Sequence, residues 1–166
     1  MKYNSSGIQQ WVVRYDGPGN SFDAATALAV DGSGNIYVTG GSASSGNSLF
    51  DYEYDYATVK YNSSGVQQWV ARYNGPGNSL DYATALTVDG SGNVYVTGNS
   101  EGSGTGYDYA TVKYNSAGME QGIVRYNGPA NGDDRAIALA VDNSGNLHVT
   151  GYSESIGAGN DYATIK

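Results

Sequence analysis

The sequence of 166 residues lacks cysteine altogether and contains a single histidine. Without cysteine there is no disulfide, no thiolate zinc site and no cysteine nucleophile. No apolar run approaches the roughly 18 residues of a membrane-spanning helix, and there is no heptad or collagen period. These absences exclude membrane-spanning, coiled-coil and fibrous structures.

Positive charge is also scarce. Lysine and arginine total 8 against 16 aspartate and glutamate residues, so the net charge at pH 7 is -8. Such a charge disfavours binding to phosphate backbones and to anionic membranes. We therefore expect neither nucleic acid nor a membrane as a partner.

The sequence is rich in glycine and tyrosine, and it repeats itself. Three nearly identical segments that read Asp-Tyr-Ala-Thr-Val/Ile-Lys follow one another at a constant spacing, at positions 55–60, 108–113 and 161–166. Self-similarity of this kind indicates a repeat architecture within one domain, here the whole of 1–166. The repeat units run over about 2–59, 60–112 and 113–166.

Each unit contains four short strand-like segments. Counted from the first alanine-rich segment, they cover 25–30, 35–40, 56–61 and 67–73, and turns rich in glycine and asparagine separate them. No segment shows a period of 3.6 residues, so we expect almost no helix. Four antiparallel strands per repeat of about 40 to 50 residues are typical of the blade of a β-propeller.

The repeat resembles a known family. The motifs that carry the resemblance read D-Y-A-T-V-K-Y-N-x-x-G-x-x-x-W and then G-x-x-x-D-x-A-x-A-L-x-V-D-x-S-G-N-x-Y-V-T-G. They are similar to the bacterial β-propeller repeat called SBBP, and the resemblance covers essentially the whole chain. It implies a propeller scaffold, commonly in a secreted or cell-surface protein, and no particular chemistry. The third copy departs from the pattern, with Gly122 in place of Trp69 and His148 in place of Tyr95.

The same resemblance implies that strands follow one another from the propeller axis outward. The alanine-rich strand is then innermost, and the tryptophan-bearing strand is outermost. The blades are expected at about 24–73, 82–126 and 135–166, and the last of them needs the strand 8–15 to complete it.

Three blade equivalents are too few for a propeller, which typically has about four to eight blades. An open arrangement would expose unpaired strand edges. We therefore expect two chains to exchange outer strands and to form a six-bladed homodimeric ring of about twice 17.3 kDa. Because Met1 precedes Lys2 in the middle of a blade, we also expect a chain excised or engineered from a longer propeller.

Two sequence features resemble functional sites, but each has a simpler structural interpretation. His148 occupies a strand position that is tyrosine in the other copies, which favours a structural role. Asp31, Ser33 and Asn35 supply oxygens at alternate positions, as a calcium loop does, but the glycine and glutamate that an EF-hand requires further on are missing. A tight turn explains the same residues, so we expect no metal and no cofactor.

The one unrepeated feature is an acidic and aromatic segment between the second and third strands. Its candidate binding residues are Asp51, Tyr52, Glu53 and Tyr54. Acidic and aromatic side chains together suit a sugar or a cationic peptide, whereas the alternative is a lengthened hairpin.

Nothing in the sequence places two carboxylates across a cleft, as a glycosidase would need, so we expect no enzyme. The sequence predicts a non-catalytic scaffold or interaction module. The alternative is a lectin-like propeller with one weak carbohydrate site per blade, in which the charges that recur in each copy would form equivalent pockets.

Overall fold

The structure, a computed structural model, describes residues 1–44 and 53–166. The described residues form four antiparallel sheets and contain no helix. This all-β arrangement agrees with the propeller-like blades that the repeat predicts.

The strands follow one another along the chain and pair in the same order within each sheet. An N-terminal hairpin comprises β1 (Lys2–Tyr3) and β2 (Gln9–Trp11). The first sheet comprises β3 (Asp23–Val30), β4 (Ile36–Ala43), β5 (Tyr54–Tyr61) and β6 (Gln67–Tyr73). The second sheet comprises β7 (Asp81–Val88), β8 (Val94–Glu101), β9 (Tyr107–Tyr114) and β10 (Glu120–Tyr126). The third sheet has three strands, β11 (Asp134–Val141), β12 (Leu147–Ser155) and β13 (Gly159–Ile165).

The alanine-bearing strands lie next to one another, as the sequence predicts. β3 contacts β7, and β7 contacts β11, whereas β6 and β10 form the far edges of their sheets. Alanine keeps these neighbouring strands close because a larger side chain would clash there. The three sheets therefore stack in chain order, with their first strands on one side and their last strands on the other.

The core lies between consecutive sheets. Between the first and second sheets, Tyr37, Tyr56 and Tyr73 pack against a buried layer of alanine and valine that includes Val94 and Val96. A smaller cluster of the same kind lies between the second and third sheets. Each sheet thus presents a tyrosine-rich face to the next sheet and an aliphatic face to the preceding one.

The N-terminal outer strand is shorter than the sequence predicts. The expected strand 8–15 is paired only over β2, because β1 offers no more than Lys2 and Tyr3 as partners. The equivalent strand β6 pairs along its whole length, because β5 runs beside it. Residues 12–15 therefore have no ladder partner within the described chain.

Candidate functional site

The junction between the first and second sheets shows how two blades fit together. The side chain of Tyr56 is fully buried there, and its hydroxyl donates a hydrogen bond of 3.3 Å to the carbonyl of Ala110. A Cβ atom on Gly98 would lie 2.9 Å from this hydroxyl, so the close approach requires glycine. A tyrosine anchored at both its ring and its hydroxyl fixes the spacing of the two sheets.

The junction between the second and third sheets repeats this tyrosine contact, whereas the corresponding tyrosine of the third sheet makes no such contact within the described chain. Tyr109 is 2% exposed and donates an equivalent hydrogen bond of 3.3 Å to the carbonyl of Ala163. The third tyrosine of the series is Tyr162, and its side chain is 96% exposed. We call the surface around it, with Ile137 and His148, the open face of the third sheet.

The innermost strands are linked by a second repeated contact. Thr26 donates a hydrogen bond of 2.7 Å to the carbonyl of Ala83, and Thr84 donates one of 2.8 Å to the carbonyl of Ala136. The third copy has Ile137 at this position, and it is largely exposed. At this position the open face therefore carries the apolar side chain of Ile137, whereas each of the two internal junctions carries a threonine hydroxyl.

The opposite end of the stack exposes the complementary aliphatic face. Leu28 and Val30 in the first sheet are 67% and 58% exposed, whereas the equivalent Leu86 and Val88 are packed against the core. Together with the N-terminal hairpin, this face lines a cavity of about 830 Å³. We call this cavity the N-terminal groove. Its floor includes Ala57, the counterpart of the two alanines that accept the tyrosine hydrogen bonds.

The hairpin sits where the outer strands of a preceding blade would lie. Lys2 and Trp11 both donate to the carbonyl of Ser63, over 3.1 and 3.3 Å. In the same way, Lys60 and Trp69 of the first sheet donate to the carbonyl of Ser116 in the second. The hairpin therefore reproduces the outer part of a blade, and the groove occupies the space of its inner strands.

A half-buried arginine anchors the outer strand of each complete sheet. Arg72 donates to both Ser42 and Asp55 of its own sheet, and to the hydroxyl of Tyr15 in the preceding segment. The ion pair between Arg72 and Asp55 measures 3.0 Å. Because both side chains are largely shielded from water, neither could lose its partner without a cost.

The second sheet repeats this anchor, whereas the third sheet lacks it. Arg125 pairs with Asp108 over 2.8 Å, and it also contacts Ser100 and the hydroxyl of Tyr73. The remaining members of the series are Arg14 in the N-terminal segment and Asp161 in β13, and both are exposed. Arg14 lines the N-terminal groove, and Asp161 lies in the edge strand β13, where it accepts a hydrogen bond from the Ser155 hydroxyl.

Burial also changes the acidity of the junction tyrosines. It is the main cause that raises the pKa of Tyr109 to about 12, with a smaller contribution from the charge of Asp134. Burial likewise raises the pKa of Tyr56 well above its ordinary value. These phenols stay protonated and keep their role as hydrogen-bond donors at neutral pH.

The acidic and aromatic segment predicted as a binding site is described only in part. Asp51 and Tyr52 lie outside the described residues. Glu53 is exposed, and its backbone carbonyl accepts hydrogen bonds from Ser44. Tyr54 is 8% exposed, and its ring packs against Tyr82 with 5.3 Å between the ring centroids. The side chain of Tyr54 thus helps to join the first two sheets at the loop rim, which leaves little of it accessible to a ligand.

The loops with alternating oxygens form tight turns. One oxygen of Asp31 accepts hydrogen bonds from the backbone amides of Ser33 and Asn35, and the other accepts from the Asn35 side chain and the Tyr37 hydroxyl. Burial opposes the ionised form, but these hydrogen bonds outweigh it and lower the pKa of Asp31. Both carboxylate oxygens are therefore engaged by the turn itself.

His148 lies in β12 beside the corresponding turn of the third sheet. Its Nε2 atom is 3.6 Å from a carboxylate oxygen of Asp142. In the described ranges 1–44 and 53–166, no cluster of three or more histidine, aspartate or glutamate side chains has the geometry of a metal site. Nor does that part of the chain contain a helix of the length and hydropathy needed to cross a bilayer.

Comparison with known proteins identifies the repeat. A family model described as SBBP, a β-propeller repeat, matches residues 68–104. The matched stretch begins in β6, includes β7 and β8 and ends in the connection to β9. The resemblance read from the three sequence copies is thereby confirmed for this stretch. No curated protein matches the chain significantly.

Proposed function

Because this chain carries an SBBP-type β-propeller repeat, we propose that it is a self-assembling propeller module that acts by binding and not by catalysis. In this proposal two copies close one ring. The third sheet of each copy docks in the N-terminal groove of the other, and the hairpin of that copy supplies the missing outer strand.

The observation that carries the proposal is the exposure of Tyr162. Its two counterparts, Tyr56 and Tyr109, are 0% and 2% exposed, because each is buried against the following sheet. Tyr162 is 96% exposed, and burial of its aromatic surface would be favourable. The carbonyl of Ala57, in the floor of the groove, accepts a hydrogen bond from Thr39 and is the counterpart of the Ala110 carbonyl, which accepts from both Thr97 and Tyr56.

The hairpin supports the same arrangement independently. Tyr3 is 54% exposed, although its counterparts Tyr61 and Tyr114 are buried within complete sheets. Docked beside β13 of a second copy, the segment 2–15 would extend the third sheet to four strands. Tyr3 would then cover the apolar groove of about 250 Å³ between the second and third sheets, which is lined by Val149 and Ile165 among others.

Charge complementarity sets the register of this pairing. Arg14 of one copy would reach Asp161 of the other, as Arg72 reaches Asp55 within the first sheet. Two such ion pairs, related by a two-fold axis, would close a ring of six blades. Six blades lie within the usual range for propellers, whereas three blades lie below it.

A non-catalytic role is proposed because the repeated acidic groups are already engaged. Asp55 and Asp108 pair with arginines, and Asp31 and Asp89 are capped by their own turns. Asp81 accepts the backbone amide of Gly75 over 2.6 Å. Each of these carboxylates has at least one oxygen committed to the scaffold, so we propose that none of them forms an acid and base pair across a cleft.

The test combines solution mass with a charge exchange. We expect light scattering to give a mass of about twice 17.3 kDa for the wild-type chain. Arg14→Asp alone places two carboxylates together at each junction, and Asp161→Arg alone places two guanidinium groups together, so each variant should dissociate. An equimolar mixture of the two variants restores both ion pairs and should return to the dimeric mass.

The mixture is informative because only contacts between chains can be rescued by mixing. The double variant Arg14→Asp/Asp161→Arg is the matched control, and it should dimerise by itself. A folded wild-type chain with the mass of one copy would contradict the proposal. Failure of the mixture to recover, while the double variant does, would exclude pairing between copies.

A further inference from the structure

The charges of the chain are divided unequally between the two ends of the strands. One end holds the tight turns, such as that between β3 and β4, and there the four lysines balance four acidic residues, Asp31, Asp89, Glu120 and Asp142. Of the 16 acidic residues, these four lie at that end and Asp51 lies outside the described residues, which leaves eleven at the opposite end with the four arginines. The excess of negative charge is therefore confined to one end of the stack.

We call this end the acidic rim. Its described parts are the strand ends next to the following connections: 12–22, 44 and 53, 74–80, 102–106, 127–133 and 156–158, and these connections themselves. A surface with so uneven a balance attracts partners of positive charge and repels those of negative charge.

Three buried carboxylates of the acidic rim are incompletely compensated. Asp55, Asp81 and Asp108 are 7%, 1% and 5% exposed, and in the described chain one oxygen of each has no hydrogen-bond partner. Burial is the main cause that raises the pKa of Asp81, and the charge of Asp55 adds to the increase. A cation bound above these carboxylates would therefore be attracted by charge that water screens poorly.

A row of aromatic rings runs along the acidic rim from the first sheet to the second. The ring of Phe22 meets that of Tyr54 edge-on, with 6.1 Å between the centroids, and Tyr54 lies 5.3 Å from Tyr82. Burial raises the pKa of Tyr82, and the neighbouring phenols of Tyr54 and Tyr107 add to the increase, so Tyr107 continues the row. Phe22 is 61% exposed, and Tyr82 and Tyr107 are half-buried. These four rings, which we call the aromatic row, therefore offer ring surface to a ligand.

One end of the aromatic row already binds a guanidinium group of the chain itself. The side chain of Arg135 lies over the ring of Tyr107, 4.4 Å from its centroid, and donates a hydrogen bond of 2.8 Å to Asp133. A planar cation thus fits on this rim between a ring and a carboxylate, as a cation–π contact supported by an ion pair. The equivalents of Arg135 in the other copies are Tyr82 and Ala24, which supply no cation of their own.

Two further carboxylates lie beside the aromatic row. Glu53 directly precedes Tyr54 and is exposed. Glu101 is half-buried and pairs with Tyr107 across the ladder between β8 and β9. The row therefore combines rings and carboxylates at more places than Arg135 occupies.

We propose that the acidic rim binds an arginine-rich segment of a partner polypeptide, whose guanidinium groups lie on Phe22 and Tyr82 and pair with Glu53 and Glu101. Arginine suits this surface better than lysine, because a planar guanidinium group can stack on a ring while it donates to a carboxylate. The negative charge of the rim attracts such a segment, and the row then holds it. The inference goes beyond the proposed assembly and does not depend on it, because one chain carries the whole aromatic row.

The test uses a hexa-arginine peptide with blocked termini as the probe, with titration calorimetry and light scattering on the same sample. Glu101→Gln removes one charge from the acidic rim, and Glu120→Gln removes one from the opposite end, so the two variants have the same net charge. We expect Glu101→Gln to weaken binding about threefold and Glu120→Gln to bind as the wild type does.

The contribution of the rings is tested without a change of charge. Phe22→Leu removes one exposed ring and should weaken binding about threefold, and its combination with Glu101→Gln should weaken binding about tenfold. A hexa-lysine peptide carries the same charge as the hexa-arginine peptide and should bind more weakly to the wild type, because its ammonium groups do not stack on rings.

These outcomes separate the site from a general attraction of charge. Equal weakening by Glu101→Gln and Glu120→Gln would show that the peptide follows the net charge alone, and it would overturn the acidic rim as a site. Unchanged binding by Phe22→Leu, or equal affinity for the two peptides, would overturn the role of the aromatic row. A monomeric mass with peptide bound would contradict the proposed assembly and leave this inference standing.

Discussion

The hydroxyl of Tyr109 lies 3.3 Å from the carbonyl oxygen of Ala163, and this hydrogen bond joins the second sheet to the third. Tyr162 is the next member of the same series and points away from the stack with no such acceptor in the described chain. Repetition makes this difference interpretable, because the same residue type in the same strand position has two opposite environments. The exposed copy therefore marks the surface at which we propose that two copies associate.

We expect Tyr162→Ala to weaken dimerisation strongly and to leave the chain folded. Loss of a large buried aromatic costs about 3 kcal/mol, which corresponds to about 100-fold for each of the two equivalent contacts. Light scattering over a dilution series measures the change. Met119→Ala is the matched control, since Met119 is exposed on an outer turn, and it should dimerise as the wild type does. Equal dissociation constants for the two variants would argue against Tyr162 as an interface residue.

Gly122→Trp should stabilise the protein. The added indole can cover Tyr95 as Trp69 covers Tyr37, and the strand no longer contains a flexible glycine. We expect a gain of about 1 to 2 kcal/mol, because the site is only half-buried, and a rise in melting temperature of about 5 °C. Trp69→Gly should lower the melting temperature by a similar amount. A drop for Gly122→Trp would show that β10 is packed differently from β6.

The sequence predicts the sheets well because the same pattern of strand and turn residues occurs three times. Alternation of Thr, Val and Tyr between glycine-containing turns gives strands that the structure then contains with small extensions. Gly122 belongs to the third sequence copy, yet its strand β10 closes the second sheet, since the strand pairs with the preceding β9. Sequence copies and sheets are therefore offset by one strand.

The residues of the open surfaces could have been found only by comparison of equivalent positions. Tyr162 looks the same in sequence as Tyr56 and Tyr109, and only the missing neighbouring sheet distinguishes them. Tyr54 shows the reverse case. Its acidic and aromatic context predicts a ligand site, and its ring also contacts Tyr82, a residue of another sheet that the local sequence does not reveal.

Stability should fall at high pH as the junction tyrosines ionise. Burial raises the pKa of Tyr109 and of Tyr37 from 10.0 to about 12. Because the folded pKa is raised, their contribution to stability is fully present below pH 10 and is lost as the pH rises through 12. The midpoint of alkaline unfolding, followed by circular dichroism, should therefore lie in this window. Tyr109→Phe cannot ionise at this position, and its midpoint should move to higher pH.

Removal of residues 1–15 should abolish the dimer, and the missing segment should restore it when supplied as a separate peptide. The truncated chain keeps the first and second sheets, whose cores do not include the hairpin. The peptide can then add a fourth strand beside β13 and place Arg14 near Asp161. We expect one peptide bound per truncated chain by calorimetry and recovery of the dimeric arrangement by light scattering. A peptide with Arg14→Asp should bind more weakly to the truncated chain and regain affinity for the truncated Asp161→Arg chain. If the truncated chain dimerises without peptide, the outer strand is not what joins the copies, because each third sheet would still be incomplete.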